Sequence, residues 1–282
     1  MTEVIRFEES ELRIDGPVAE FSHQRPTSRN AFSMVLREDY AQMVTRVQRD
    51  VSLRVLILTG SGGSFCSGGD IKGMQDRLAN PDPAVNSPDA TRRRLEDAHR
   101  WLTSLRDLDI PVIAAVDGAA YGAGFSIALQ ADFILASTRA AFAMSFTRMG
   151  AVPDLGAFHT LPRLIGLANA KDLMLTGRRV GAEEGKALGF VHAIHAPEAL
   201  LPAAHTFARK LARGPREAAA MTRKLLNRSF ETDYAGMATL EAYAQGVAMA
   251  SRYHAEAAAR FAAGQPSAFD WDALGDDPAA HA

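Results

Sequence analysis

The chain of 282 residues has a single cysteine, Cys66, so it cannot form an intrachain disulfide and fits a reducing compartment. It also lacks an excess of charge: 31 lysines and arginines stand against 33 aspartates and glutamates, which leaves no basic field for a nucleic acid. No apolar run approaches the ~18 residues of a membrane-spanning helix, and the charged amino terminus is unlike a signal peptide. These absences predict a soluble, cytoplasmic protein that binds neither membranes nor nucleic acids.

Two glycine-rich segments, residues 64–74 (SFCSGGDIKGM) and 117–132 (DGAAYGAGFSIALQAD), are the most informative features present. Each follows an apolar run typical of a buried strand, at 53–60 and 112–118, and each leads into a segment of helical character. Where a strand turns through glycines into a helix, the first backbone N–H groups have no intrahelical acceptor. Two such turns side by side can aim two N–H donors at one oxyanion, which is what thioester chemistry requires.

The rest of the chain alternates between strand-like and helix-like patterns. Residues 3–24 alternate apolar and polar positions about an Asp-Gly pair, which predicts an antiparallel hairpin. Residues 30–50 repeat apolar residues every three or four positions, which predicts an amphipathic helix with Asn30 as its N-cap. In chain order, the later predicted elements are a mobile loop within 75–98, helices at 89–108, 122–131, 166–177 and 181–188, and strands at 133–136, 141–145 and 190–195.

This alternation predicts an α/β fold of repeated ββα or βαβ units around a largely parallel core. We expect the core to span residues 1–198. After it, residues 199–265 are alanine-rich and helical in pattern, which predicts a helical region that caps the core and makes oligomer contacts. Residues 266–282 are expected to form a flexible tail.

Several blocks of the sequence resemble a known family. LRVLILTGSGGSFCSGGDIKGM, PVIAAVDGAAYGAGFSIALQADFILAS and MGAVPDLGAFHTLPRLIG resemble the signature blocks of the crotonase, or enoyl-CoA hydratase/isomerase, superfamily. HQRPTSRNAFS resembles its N-terminal block, and the resemblance covers residues 4–265. It implies a spiral of ββα units with a C-terminal helical region, assembled as homotrimers or homohexamers. It also implies an acyl-CoA substrate and no separate cofactor or metal, since coenzyme A is part of the substrate.

The resemblance also implies roles for individual residues. By position, the backbone N–H groups of Gly69 and Ala123 would bind the thioester oxygen. Ser126 and Phe146 would lie in the pocket where hydratases of the family carry two glutamates that hold a water, and neither can act as a base. Asp154 stands where double-bond isomerases of the family place an aspartate. We therefore expect an enoyl-CoA isomerase with Asp154 as its acid/base.

Coenzyme A is expected to lie along the first glycine turn. Alternatives stay open here, because Asp70 also fits a helix N-cap and the two basic candidates also fit exposed surface charges. The residues that the resemblance implies for this contact are Arg25, Ser67, Asp70, Ile71 and Lys72.

Other functions are not excluded by the residues alone. Asp154 also fits a turn, since a Pro-Asp pair followed by glycine is common turn chemistry. A hydratase of unusual design, an acyl-CoA thioesterase and a non-catalytic acyl-CoA binder would all carry the same blocks. Ser126, in GFSIA, approximates the nucleophile of a serine hydrolase. His192 and His195 form an HxxH pattern, but a metal site would need a third ligand that the pattern does not supply. We therefore expect these two histidines to be structural.

Overall fold

The computed structural model describes residues 2–274, and within them ten strands form two sheets. The larger sheet has seven strands in the order β1-β2-β3-β4-β5-β7-β10, and the smaller one has the order β6-β8-β9. The strands are β1 (Glu3–Arg6), β2 (Ser10–Asp15), β3 (Val18–His23), β4 (Val55–Gly60), β5 (Val112–Val116), β6 (Ala119–Tyr121), β7 (Phe133–Ser137), β8 (Ala141–Ala143), β9 (Val180–Gly181) and β10 (Ala193–His195).

Helices separate these strands and then fill the C-terminal part of the described chain. They are α1 (Met34–Arg49), α2 (Ile71–Leu78), α3 (Pro88–Arg106), α4 (Ala123–Ala128), α5 (Ala157–Thr176), α6 (Ala182–Leu188), α7 (Pro197–Ala212), α8 (Arg216–Arg228), α9 (Tyr234–Met249) and α10 (Arg252–Ala262). The predicted α/β class with a helical C-terminal region is confirmed. None of these helices is both long and apolar enough to cross a bilayer.

The large sheet is antiparallel at its start and parallel afterwards. β1, β2 and β3 form an antiparallel meander, which confirms the predicted hairpin. From β3 onward the neighbours β4, β5, β7 and β10 pair in parallel. Every residue of β5 is buried, as expected for a strand covered by helices on both faces. The parallel pairing of β4 with β5 brings the glycine turns that follow these two strands to the same edge of the sheet.

Two predictions about where helices begin and end are wrong. α1 begins at Met34 because the Ser33 hydroxyl accepts a hydrogen bond from the Leu36 N–H, so Ser33 and not Asn30 is the N-cap. The polar stretch from residue 75 is not a loop at its start, because Asp70 caps α2 and the helix continues to Leu78. The irregular segment is limited to residues 79–87, since α3 begins at Pro88.

The C-terminal helices differ in how they meet the core. Leu200, Ala204 and Ala208 of α7 are buried against one face of the large sheet, together with Ile57 and Ile113 from β4 and β5. α9 and α10 bury no residue in the described chain. Of the predicted tail, residues 266–274 are described, and residues 275–282 lie outside the described residues. α7 therefore packs as a layer on the large sheet.

Candidate active site

The two glycine turns lie side by side. Cys66 pairs with Ala120 in a parallel bridge, and the Tyr121 N–H donates to the Cys66 carbonyl oxygen at 3.0 Å. Gly69 lies three residues after Cys66, and Ala123 lies three residues after Ala120. Because the bridge is parallel, both residues lie toward the same end of the paired segments. The structure thus brings together the two positions that the resemblance implies as oxyanion donors.

Both of these N–H groups lack a protein acceptor within residues 2–274. Gly69 forms a parallel bridge with Phe32 that uses the Gly68 carbonyl and the Asp70 N–H, at 2.7 and 3.2 Å. The Gly69 N–H therefore points away from Phe32. Ala123 is the first residue of α4, so its N–H has no intrahelical partner. Two N–H donors at the edge of the sheet are left for a ligand.

Close packing of the two turns explains one glycine in the second segment. A Cβ atom on Gly124 would collide with the Cys66 carbonyl oxygen and lie 2.7 Å from the Cys66 Cβ. Any side chain at this position would push the turns apart and move the neighbouring Ala123 N–H. The closeness of the two donors therefore depends on glycine here.

The Asn30 side chain braces the first turn. Its amide donates to the carbonyl oxygens of Ser61 and Ser64, at 2.9 and 2.6 Å, and its Oδ1 accepts from the Arg25 N–H at 2.9 Å. Its backbone has φ +55°, a conformation that asparagine tolerates better than most residues. The residue predicted as a helix cap instead fixes the loop that leads to Gly69.

The buried His23 side chain also stabilises the first glycine turn. His23 Nδ1 lies 2.8 Å from the Phe65 carbonyl oxygen, and Nε2 lies 2.8 Å from the Tyr40 hydroxyl. A carbonyl only accepts, so Nδ1 carries the proton and Nε2 accepts from Tyr40. Burial lowers the pKa of His23 to about 4, so the ring is neutral near pH 7. The neutral tautomer thus anchors the residue before Cys66.

Asp154 lies in the turn that precedes α5. Its Oδ1 is buried and has no hydrogen-bond partner within the described chain. The next residue, Leu155, is fully buried and has φ +50°, and its carbonyl accepts from the Gln130 amide at 3.1 Å. The same amide donates at 3.0 Å to the carbonyl of Ser126 in α4. Gln130 therefore ties the turn that carries Asp154 to the helix that begins at Ala123.

Burial has the largest effect on the acidity of Asp154. Burial raises the pKa of the Asp154 carboxyl above its ordinary value, while the positive charges of Arg37 and His99 act in the opposite direction. Arg37 lies on α1 with its guanidinium 5.3 Å from the centre of the Phe32 ring. Phe32 in turn pairs with Gly69. Phe32 thus connects Arg37, which neighbours Asp154, to the segment that carries the first predicted oxyanion donor.

Ser126 and Phe146 both lie near the second donor, but neither offers a reactive group. Ser126 is fully buried inside α4, and its hydroxyl donates to the Gly122 carbonyl at 3.2 Å. A nucleophilic serine needs access to substrate and a neighbouring base, and this hydroxyl bonds only to the backbone. The Phe146 ring lies 3.8 Å from the position of a Cβ on Gly122. The serine-hydrolase alternative is contradicted by this burial.

The residues expected along coenzyme A have mixed surroundings. Asp70 caps α2 by accepting from the Gly73 N–H at 3.2 Å, which confirms the N-cap interpretation. Arg25 forms ion pairs with Glu9 and Asp70, at 3.1 and 3.3 Å. Its guanidinium is thus already neutralised within the chain. Of the other candidates, Ile71 and Lys72 are exposed, and the Ser67 hydroxyl donates to the Ser28 carbonyl at 3.2 Å. Their contact with coenzyme A stays a prediction.

Sequence reasoning missed Arg37, the function of Asn30 and the role of His23. Arg37 stands on the polar part of the predicted amphipathic helix, where an arginine is ordinarily a solvated surface charge. Only the packing of α1 against distant residues places it near Asp154. Cys66 is buried, and burial raises the pKa of its thiol to about 12. No group of three or more metal-binding side chains occurs among the described residues.

Comparison with known proteins gives a consistent result. The family model for enoyl-CoA hydratase/isomerase matches residues 13–270. The 1,2-epoxyphenylacetyl-CoA isomerase of Escherichia coli is 35% identical over 209 residues, which are 74% of this chain and 78% of that protein. The carnitinyl-CoA dehydratase of Citrobacter koseri is 36% identical over 197 residues, or 70% and 71% of the two chains. A crystal structure of an enoyl-CoA hydratase/isomerase from Cupriavidus metallidurans superposes with a TM-score of 0.87 at 36% identity and covers 94% of this chain and 97% of that one.

Proposed function

The chain belongs to the enoyl-CoA hydratase/isomerase family of the crotonase superfamily, and from that premise we propose that it shifts a double bond in an enoyl-CoA ester. In this proposal Asp154 is the acid/base, and the N–H groups of Gly69 and Ala123 bind the thioester oxygen. Family members similar to this chain include both isomerases and hydratases, so the choice between these reactions rests on the residues of the site.

The observation that carries the proposal is the state of the Asp154 carboxyl. Its Oδ1 is buried and has no hydrogen-bond partner within residues 2–274, and burial raises the pKa of the carboxyl, which makes its carboxylate a stronger base. A residue that served only to form the turn would use its side-chain oxygen to accept a neighbouring N–H. A buried carboxylate oxygen without a donor destabilises the folded chain, so a role with the ligand is the better explanation.

The reaction follows from this arrangement. The Asp154 carboxylate removes a proton from the α-carbon of a 3-enoyl-CoA, and the electron pair of that C–H bond moves into a dienolate. The N–H groups at residues 69 and 123 stabilise the negative thioester oxygen of the intermediate. The protonated Asp154 then returns the proton to the γ-carbon, which yields the 2-enoyl-CoA. No atom is gained or lost, so no cofactor is needed.

Hydration is less compatible with the same site. It requires a water held by a base on the face of the double bond, and the family places two glutamates there. In this chain Ser126 is buried and bonded to the backbone, and Phe146 presents an apolar ring beside Gly122. Neither side chain activates a water, so we propose that proton transfer by Asp154 replaces hydration.

The direct test is Asp154→Asn, assayed by conversion of 3-enoyl-CoA to the conjugated 2-enoyl-CoA. We expect turnover to fall by ~100- to 10,000-fold, because asparagine cannot accept the proton. Binding of a saturated acyl-CoA should change little. The matched control is Asp172→Asn on α5, whose carboxylate is partly exposed and pairs with Arg178 at 2.7 Å.

Two results would contradict the proposal. Unchanged isomerase turnover in Asp154→Asn would remove Asp154 from the chemistry. Hydration of 2-enoyl-CoA by the wild-type protein, without conversion of 3-enoyl-CoA, would show that the site works as a hydratase of another design.

We also propose that the chain assembles as a homotrimer or homohexamer. The support is a set of large apolar side chains exposed on the C-terminal helices, including Leu226, Tyr243 and Phe261 at 66, 73 and 88% exposure. Light scattering would measure the oligomer directly, and a monomer at assay concentrations would refute this.

A further inference from the structure

Three arginines from three consecutive helices lie near one another: Arg37 on α1, Arg77 on α2 and Arg94 on α3, and Arg37 also neighbours the proposed acid Asp154. Burial lowers the pKa of Arg37, the charge of Asp154 raises it, and the charges of Arg77 and Arg94 lower it further. The charge of Arg77 also lowers the pKa of Arg94, after the larger effect of burial. These three residues, called here the arginine cluster, are each half-buried and lie within electrostatic reach of one another.

The position of Arg37 is fixed by contacts and not only by charge. Its guanidinium carbon lies 5.3 Å from the centre of the Phe32 ring, and the Phe32 backbone pairs with Gly69 on the side opposite its free N–H. Phe32 therefore lies between Arg37 and the segment that carries the proposed oxyanion donor Gly69, and Arg37 also neighbours Asp154. An acyl chain that extends from a thioester held at Gly69 and passes Asp154 comes within reach of this guanidinium.

The hydrogen bonds of Arg37 are incomplete. A guanidinium carries five N–H donors, and Arg37 makes a single long bond, at 3.5 Å, to the Arg94 carbonyl oxygen. Its Nε is buried and has no acceptor within residues 2–274. A buried guanidinium N–H ordinarily has an acceptor, because an unpaired charged donor away from water is costly. The unfilled donor therefore points to an acceptor that the ligand supplies.

The charge balance identifies the kind of acceptor. The arginine cluster holds three guanidinium groups, and Asp154 is the carboxylate that acts on Arg37. Arg25 offers the contrast within the same chain, because two carboxylates, Glu9 and Asp70, neutralise its single guanidinium at 3.1 and 3.3 Å. A hydrocarbon tail against the arginine cluster would leave both the positive excess and the Arg37 Nε–H uncompensated. A carboxylate would satisfy both, since it accepts two parallel N–H bonds from one guanidinium.

We propose that the arginine cluster binds a carboxylate at the far end of the acyl chain, so that the substrates are CoA monothioesters of dicarboxylic acids. This rests on the proposed function in one respect only, that the thioester oxygen lies at Gly69 and Ala123. The placement of an anion-binding group next to Asp154 would then hold the chain with its α- and γ-carbons at the acid. Arg37 is the principal anion contact, and Arg77 and Arg94 supply supporting charge.

The test is equilibrium binding of saturated esters in matched pairs, measured by calorimetry with the full chain. The probes are hexanoyl-CoA against the monothioester of hexanedioic acid, and octanoyl-CoA against that of octanedioic acid. We expect the wild-type protein to bind at least one dicarboxylic ester ~10-fold more tightly than its neutral partner, as for a charge-assisted bidentate pair. Arg37→Met should abolish this preference and leave binding of the neutral esters within about twofold.

Arg49→Met is the matched control. Arg49 is an exposed residue at the opposite end of α1, twelve residues from Arg37, which corresponds to ~18 Å along the helix axis. It carries the same change of charge on the same element, so it should keep the full preference. Arg37→Lys keeps the positive charge but loses the bidentate geometry, and an intermediate preference is expected.

The outcomes separate this proposal from the proposed function. Saturated esters have no double bond to shift, so the binding preference is measured without turnover and survives a failure of the isomerase assay. Equal binding of both members of both pairs by the wild-type protein would overturn the proposal, even if Arg37→Met failed to fold. A preference that persists in folded Arg37→Met would overturn it as well. A shifted pH profile of turnover in Arg37→Met, without a change in preference, would instead make Arg37 a positioning residue for Asp154.

Discussion

On the oxyanion side of the site, formed by residues 61–69 with Asn30 and His23, the bracing side chains have all their partners. Asn30 uses both amide hydrogens and its carbonyl oxygen, and His23 uses both ring nitrogens. On the acid side, formed by Asp154 and Arg37, each residue keeps a buried polar atom that has no partner within residues 2–274. Asn30 and His23 are thus fully paired whereas Asp154 and Arg37 are not, although the Ser61 hydroxyl on the oxyanion side is also buried without a partner among the described residues.

The difference fits the role that we propose for each side. An oxyanion donor works when its direction is set before the substrate arrives, and complete hydrogen bonding of the surrounding loop provides that rigidity. An acid/base and an anion-binding group must keep atoms available for the substrate, and an available buried atom destabilises the empty protein. Substitutions on the oxyanion side should therefore lower stability, whereas those on the acid side should lower function without lowering stability.

The largest expected effect is that of Asn30→Ala on the oxyanion side. Three hydrogen bonds of a buried side chain are lost, and alanine tolerates φ +55° less well than asparagine, so the free energy of unfolding should fall by about 4 kcal/mol. Denaturant unfolding would measure the loss. Asn169→Ala is the control, since that exposed side chain makes a single bond, to the Ile165 carbonyl at 2.9 Å, and should cost less than about 0.5 kcal/mol. Similar losses in both variants would contradict the bracing role.

The second effect is a loss of stability in acid that His23 causes. The unfolded chain binds a proton at His23 near pH 6.5, whereas the folded chain resists protonation until about pH 4. Stability from this group is therefore complete above pH 6.5 and is lost as the pH falls from 6.5 to about 4, by about 3 kcal/mol. Unfolding curves at several pH values, compared with those of His23→Phe, isolate this contribution. If the variant loses stability in acid as steeply as the wild type, the assignment to His23 is wrong.

The smallest effect, and the one that sharpens the contrast most, is that of Asp154→Asn on stability. Burial dominates the surroundings of this carboxyl, so replacing it by a neutral amide should leave the free energy of unfolding unchanged or raise it by about 1 kcal/mol. Thermal unfolding at pH 7 would measure the change. A loss of 2 kcal/mol or more would mean that Asp154 holds the fold together and that the two sides do not differ as described.

Prediction from the sequence was most successful where the signals are local. The strands at 53–60 and 112–118, the two glycine turns and the N-cap at Asp70 all follow from residue type and spacing within a few positions. Prediction failed at Asn30. Asparagine is favoured both at helix N-caps and at positions with positive φ, and the sequence alone does not distinguish the two. Prediction also failed for the polar stretch after residue 75, where a capped helix resembled a loop.

The sequence by itself determined the α/β order of elements, the two strand–turn–helix junctions and an aspartate after Pro153 that is a candidate acid/base. Each of these is a pattern of neighbours along the chain, and periodicity and glycine content are local properties. Only the tertiary structure decided that Arg37 lies near Asp154 and against Phe32, which pairs with Gly69, because these residues stand on separate elements that meet through packing. The burial of Ser126 and the neutralisation of Arg25 were decided in the same way, since solvent access and charge pairing depend on what the fold places alongside them.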